Sequence, residues 1–79
     1  MPPLNLEEIL KRGEFECLTS RERETIALML KGHSSKSIAR CLGIALGTVK
    51  NHRKHVYRKL SITSQSVLFA RFLRLIDIR

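Results

Sequence analysis

Lys50, Asn51 and Lys54 lie within one turn of each other in a segment with helical periodicity, and their side chains suit one kind of chemistry. Two ammonium groups at i and i+4 project from the same face of a helix. They can donate to O6 and N7 of guanine, while the amide between them can donate and accept at adenine or bridge through water. Arg53 and Arg58 flank that face and suit phosphate oxygens, contacts that position a protein without reading sequence. Tyr57 could touch sugar or phosphate, or serve as half-buried packing. His52 borders the apolar side and reads as a packing or phosphate residue. Neither His52 nor His55 has the ligand partners a metal site needs, so no metal is expected. Catalysis finds no support either. The basic span has no paired carboxylates, no phosphate-cradling glycine loop, and no Cys/His or Ser/His pair with a third orienting group. The chain therefore reads as a non-enzyme with no catalytic residues, no cofactor and no small-molecule ligand.

The element that must carry these residues runs from Leu46 to Leu60. Val49, Val56 and Leu60 recur at helical spacing with Leu46 one turn earlier, and Gly47, Lys50, Asn51, Lys54, Tyr57 and Arg58 fall on the opposite side. At 1.5 Å per residue such a helix is about 22 Å long, enough to lie across a major groove. Ahead of it, Ser34 caps a short helix over Ser35–Leu42, with Ile38, Ala39 and Leu42 inward and Gly43 as the stop. A short helix, a tight glycine turn and a longer helix make a helix-turn-helix. Thr19-Ser20-Arg21-Glu22 has capping-box spacing and starts a helix of about Ser20 to Lys31, with Arg21, Glu22, Arg23 and Glu24 as a solvated, self-paired first turn. After Leu60, Ser61-Ile62-Thr63 breaks the chain, and Thr63 or Ser64 caps a last helix of about Ser64–Leu75. Its apolar residues exceed what one stripe needs against a small core, which predicts a partner for the surplus.

Residues 1–16 form an N-terminal leader or linker, and residues 17–79 the helix-turn-helix domain. Asn5 could cap a short extra helix over Leu6–Arg12, stopped by Gly13, and Pro2 and Pro3 suggest a linker or free end. A leader, a linker remnant and part of a dimer contact all remain open for this piece. No strand-like alternation of useful length appears, so the fold class is all-α.

The whole chain has 79 residues and a formal net charge of +8, one domain's worth of sequence. Six of its seven carboxylates precede residue 25 and the last is Asp77. Between 25 and 76 stand ten Lys or Arg without one acid, so that span must present a positive field that attracts polyanions. No apolar run approaches the ~20 residues of a membrane span. The N-terminus lacks the pattern of a signal peptide. Cys17 and Cys41 lack metal-ligand spacing and read as buried free thiols in a reducing cytosol.

From Leu18 to Leu60 the residues resemble the LuxR/FixJ-type (NarL-like) DNA-binding domain. The resemblance rests on Leu18-Thr19-Ser20-Arg21-Glu22-Arg23-Glu24, Gly32-His33-Ser34-Ser35-Lys36-Ser37-Ile38-Ala39, Leu42-Gly43-Ile44, Thr48-Val49-Lys50-Asn51-His52 and Lys59-Leu60, and it extends over about residues 17–73. It implies a four-helix fold with the third helix in the major groove, and a bacterial cytoplasmic regulator acting on the nucleoid. It assigns base contacts to Lys50, Asn51 and Lys54 and phosphate contacts to Lys36, Thr48 and Ser35, beside the Arg53 and Arg58 already noted. It also implies that the last helix pairs two copies on a two-fold DNA site, here through Val67, Leu68, Arg71, Phe72 and Leu75, with RNA polymerase left open as a further partner.

The sequence departs from the family's pattern in places. Ala45 stands where a Ser or Thr cap is usual, Ser37 where Glu is frequent, Thr25 where an apolar residue is usual, His55 where Asn is common, and Gln65 where an Arg often opens the last helix. The expected function is sequence-specific binding of double-stranded DNA for transcription regulation. The alternatives are a promoter-reading module like region 4 of a sigma factor, or a protein-interaction adaptor that has lost DNA binding.

Overall fold

A computed structural model describes residues 5–77. Pro2 and Pro3, read above as a linker or free end, lie outside the described residues. Among the described residues every regular element is helical. The order is α1 (Leu6–Ile9), a 3-10 turn (Gly13–Cys17), α2 (Ser20–Leu30), α3 (Ser35–Leu42), α4 (Leu46–Lys59) and α5 (Gln65–Ile76).

Local chemistry sets most of the boundaries. Asn5 Oδ1 accepts from the amides of Glu7 and Glu8 at 3.0 and 3.4 Å, and those two acids complement the positive start of α1. The helix ends at Ile9 instead of reaching Arg12, because the chain turns through Gly13 at φ +57° into the 3-10 segment. At Thr19 the capping box closes both ways: the Glu22 amide donates to Thr19 Oγ1 at 3.2 Å and the Thr19 amide donates to Glu22 Oε1 at 2.9 Å. Ser34 accepts from the Ser37 amide at 3.2 Å, and Gly43 in the left-handed region ends α3. Ser64, of the two residues considered, caps α5 by accepting from the Val67 amide at 3.3 Å. Ala45 gives α4 no side-chain cap.

The core forms where the apolar stripes meet. α2 and α3 both pack against α4, and α1 packs against α2. Ile26, Met29, Ile38, Val49, Val56, Leu60 and Leu68 are buried together. Leu10 and Phe15, N-terminal to the division drawn at residue 17, are completely buried in the same cluster, with Ile9 beside them. Each fully buried side chain of this size contributes about 1.5–3 kcal/mol relative to exposure.

Two expectations need correction here. Cys17 and Cys41 are exposed free thiols, not buried ones. Cys17 ends the 3-10 turn with Sγ directed at the Glu14 carbonyl, and Cys41 lies off the Ile38–Ala39–Leu42 stripe that α3 turns inward. The first turn of α2 is also not wholly solvated. Arg21 and Glu24 do pair at the surface, 3.3 Å apart, but Glu22 is buried.

Candidate nucleic-acid interface

α4 is held as a two-sided element. Val49 and Val56 are fully buried, Leu46 and His52 half-buried, and Lys50, Asn51, Lys54 and Arg58 exposed. The helix-turn-helix geometry follows from Gly43: only three residues separate α3 from α4, and the Ile44 amide returns to the Ala39 carbonyl at 3.0 Å. That turn places the start of α3 beside the outer side of α4. Ser35, Lys50, Arg53, Lys54 and Tyr57 line an open cleft of about 330 Å³ between the two helices. Lys36 and Thr48 stand exposed near the N-termini of α3 and α4. α4 starts without a side-chain cap, and within its first turn the Thr48 amide donates to the Ala45 carbonyl at 3.1 Å.

Most cations of this face are unpaired. Lys50, Lys54, Lys36 and Arg58 have no ion-pair partner among the described residues. Arg53 instead donates to Ser35 Oγ at 2.5 Å, with longer contacts to Tyr57 Oη at 3.5 Å and Gln65 Oε1 at 3.4 Å. It is half-buried, and so is Tyr57.

Lys59 has a definite structural partner. Its ammonium stands 2.7 Å from Glu22 Oε1 and 3.5 Å from the Cys17 carbonyl, fastening the C-terminal end of α4 to the start of α2. Burial would raise the Glu22 carboxyl, but the Lys59 ammonium and the Thr19 amide and hydroxyl outweigh it and hold it below the ordinary glutamate range. His55 Nδ1 lies 4.0 Å from the other carboxylate oxygen. The capping-box spacing found Glu22, but nothing local to it pointed to a partner 37 residues away.

The residues assigned to a dimer contact separate into two groups. Leu68 and Phe72 are buried in this chain's own core and present no surface to a second copy. Arg71 is half-buried, donating to the Leu60 carbonyl at 2.7 Å and to Glu14 at 2.8 Å, and Leu75 packs on the core beside Gly13. Val67 alone of the five is classed with the exposed residues. The exposed apolar surface of α5 consists of Val67, Leu73 and Ile76 instead. The helical period was right, but which side of α5 faced the core depended on α1 and the 3-10 turn.

Comparison with known proteins agrees with this geometry. The family described as bacterial regulatory proteins, luxR family (GerE) matches residues 16–72. An HTH-type transcriptional regulator from the exeN 3′ region of Aeromonas salmonicida is 54% identical over 56 residues, covering 71% of this chain and 29% of its own. The transcriptional regulatory protein MctR of Rhizobium johnstonii is 45% identical over 51 residues, 65% of this chain and 24% of its own. The response regulator VraR of Staphylococcus aureus is 40% identical over 63 residues, 76% of this chain and 30% of its own. The chain therefore spans less than a third of the length of these relatives. No solved structure matches it significantly. With the match running from the 3-10 turn into α5, the chain belongs to the luxR family of bacterial regulatory proteins.

Proposed function

We propose that this domain binds double-stranded DNA in a sequence-dependent way to regulate transcription, with α4 in the major groove. The observation that carries the reading is the outer side of α4. Lys50, Asn51 and Lys54 are exposed together there, and neither lysine has a carboxylate partner among the described residues, in a span from 25 to 76 that contains no acid. Lys50 and Lys54 donate to guanine edges, and Asn51 pairs with adenine or bridges through water. Lys36, Thr48 and Arg58 meet phosphates on either side, with Ser35 and Arg53 at the mouth of the cleft. Two copies sit on related half-sites, paired through the exposed Val67, Leu73 and Ile76 of α5.

Selection of bound duplexes from a random pool tests this. Enrichment of a motif with two related half-sites is the expected result. Tight binding without enrichment reduces the domain to a phosphate-binding fold, and no binding at low salt favours an adaptor that works through α5.

A further inference from the structure

One guanidinium joins three helices on the proposed DNA face. Arg53, in the middle of α4, donates through Nη1 to Ser35 Oγ in the first turn of α3, at 2.5 Å. Through Nη2 it reaches Tyr57 Oη one turn along α4 at 3.5 Å and Gln65 Oε1 in the first turn of α5 at 3.4 Å. All three acceptors are neutral oxygens, and the side chain is half-buried among them. A guanidinium held this way has spent its best-directed donor on the protein itself.

The consequence falls on Ser35. A hydroxyl has one proton to donate and two lone pairs. With a lone pair of Oγ occupied by Arg53, the hydroxyl proton is left to donate outward, and a bond from a cationic donor strengthens it as a donor in turn. Ser35 lines the cleft together with Lys50 and Lys54, so an oxygen placed there meets a hydroxyl donor with two ammonium groups nearby. Gln65 fits the same logic. Its amide oxygen can accept from Arg53, whereas a cation at that position would repel the guanidinium.

We infer that Arg53 is a positioning residue, not itself a phosphate contact: it orients the Ser35 hydroxyl toward one DNA phosphate and ties that contact to the starts of α3 and α5. The inference rests on the DNA-binding reading above. It distinguishes this cation from Lys36 and Arg58, which meet phosphates directly.

The experiment uses Ser35→Ala, Arg53→Lys and the double variant, each measured on the selected duplex and on a series in which single phosphates are replaced by neutral methylphosphonates. The wild-type protein loses affinity at one phosphate attributable to Ser35. Ser35→Ala and Arg53→Lys each weaken binding by about tenfold and both become insensitive at that same phosphate. The double variant is no weaker than either single one, since the two side chains act as one unit. Additive losses, or insensitivity at two different phosphates, overturn the inference and make Arg53 a direct contact.

A measurement without DNA separates this from failure of the functional reading. Nuclear magnetic resonance of the arginine side chain shows resolved, slowly exchanging Nη signals for Arg53 in the free wild-type protein, and these average in Ser35→Ala. Averaged signals in the wild type overturn the inference. Resolved signals in a protein that binds no duplex refute the DNA-binding reading and, with it, any phosphate for Ser35 to meet.

Discussion

Lys54 on α4 and Glu22 on α2 show how differently charge is used in this domain. Lys54 is exposed and has no ion pair among the described residues, so its ammonium can meet a ligand without first breaking one. Lys54→Ala should cost about 1–3 kcal/mol of binding to the selected site and relax preference at a single base position, measured by titration against a panel of single-base variants. An equal loss on all sequences would place Lys54 on phosphate. Glu22, by contrast, is buried, and its charge is used inside the protein on Lys59. Because its folded pKa is lowered, the stability it contributes is present above the unfolded value of about 4.3 and is lost as pH falls through the folded value. Glu22→Gln should therefore destabilise the domain by about 1–2 kcal/mol near neutral pH and flatten the acid side of its stability profile, measured by denaturant titrations from pH 3 to 7. The proposed base-contacting residues could be grouped from sequence because they share one helix at a fixed period. The Glu22–Lys59 pair was illegible because its members meet only after α2 and α4 dock.

Among the elements, legibility followed how local the determinants are. α3 was readable to the residue because Ser34 and Gly43 set both of its ends through contacts within four residues. Ala45 was equally readable as a missing cap, and the structure gives α4 none. Ala45→Ser, at a backbone of φ −70° and ψ 150° that already suits an N-cap, should stabilise the domain by about 0.5–1 kcal/mol. In a thermal melt that corresponds to a rise of about 2–8 °C in a domain of this size. α5 was legible only in part. Its period showed a surplus of apolar residues, but Leu68 and Phe72 face inward and Val67, Leu73 and Ile76 outward. That choice is made by the neighbours against which Leu68 and Phe72 are buried, with Arg71 bonded to Glu14 and the Leu60 carbonyl beside them.

At the scale of the whole molecule, charge and core are distributed by different rules. Apart from Asp77, the carboxylates all lie at or before Glu24, and two of them, Glu14 and Glu22, are paired with cations from beyond residue 58. Lys36, Lys50, Lys54 and Arg58, without an ion pair among the described residues, lie on the α3–α4 side, so association with DNA should be strongly salt-dependent. If Lys36 and Arg58 of each of two copies neutralise one phosphate apiece, log Kd plotted against log salt has a slope of about 3.6, measurable by titration at several ionic strengths. A slope near zero would remove the electrostatic part of the reading. The core is distributed otherwise. Leu10 and Phe15 hold places in it as fully as Val49 does, and Phe15 lies in no periodic helical pattern, which is why its role was not legible. A family match beginning at residue 16 therefore marks shared ancestry, not the edge of what folds. A fragment of residues 17–79 would keep every proposed DNA contact yet lose three buried side chains, about 1.5–3 kcal/mol each, from a domain with a typical margin of about 5–15 kcal/mol. Its amide spectrum should show poorly dispersed, broadened signals where the longer chain gives sharp ones. α4 is thus seated on a core that includes an aromatic ring more than thirty residues upstream of its first turn.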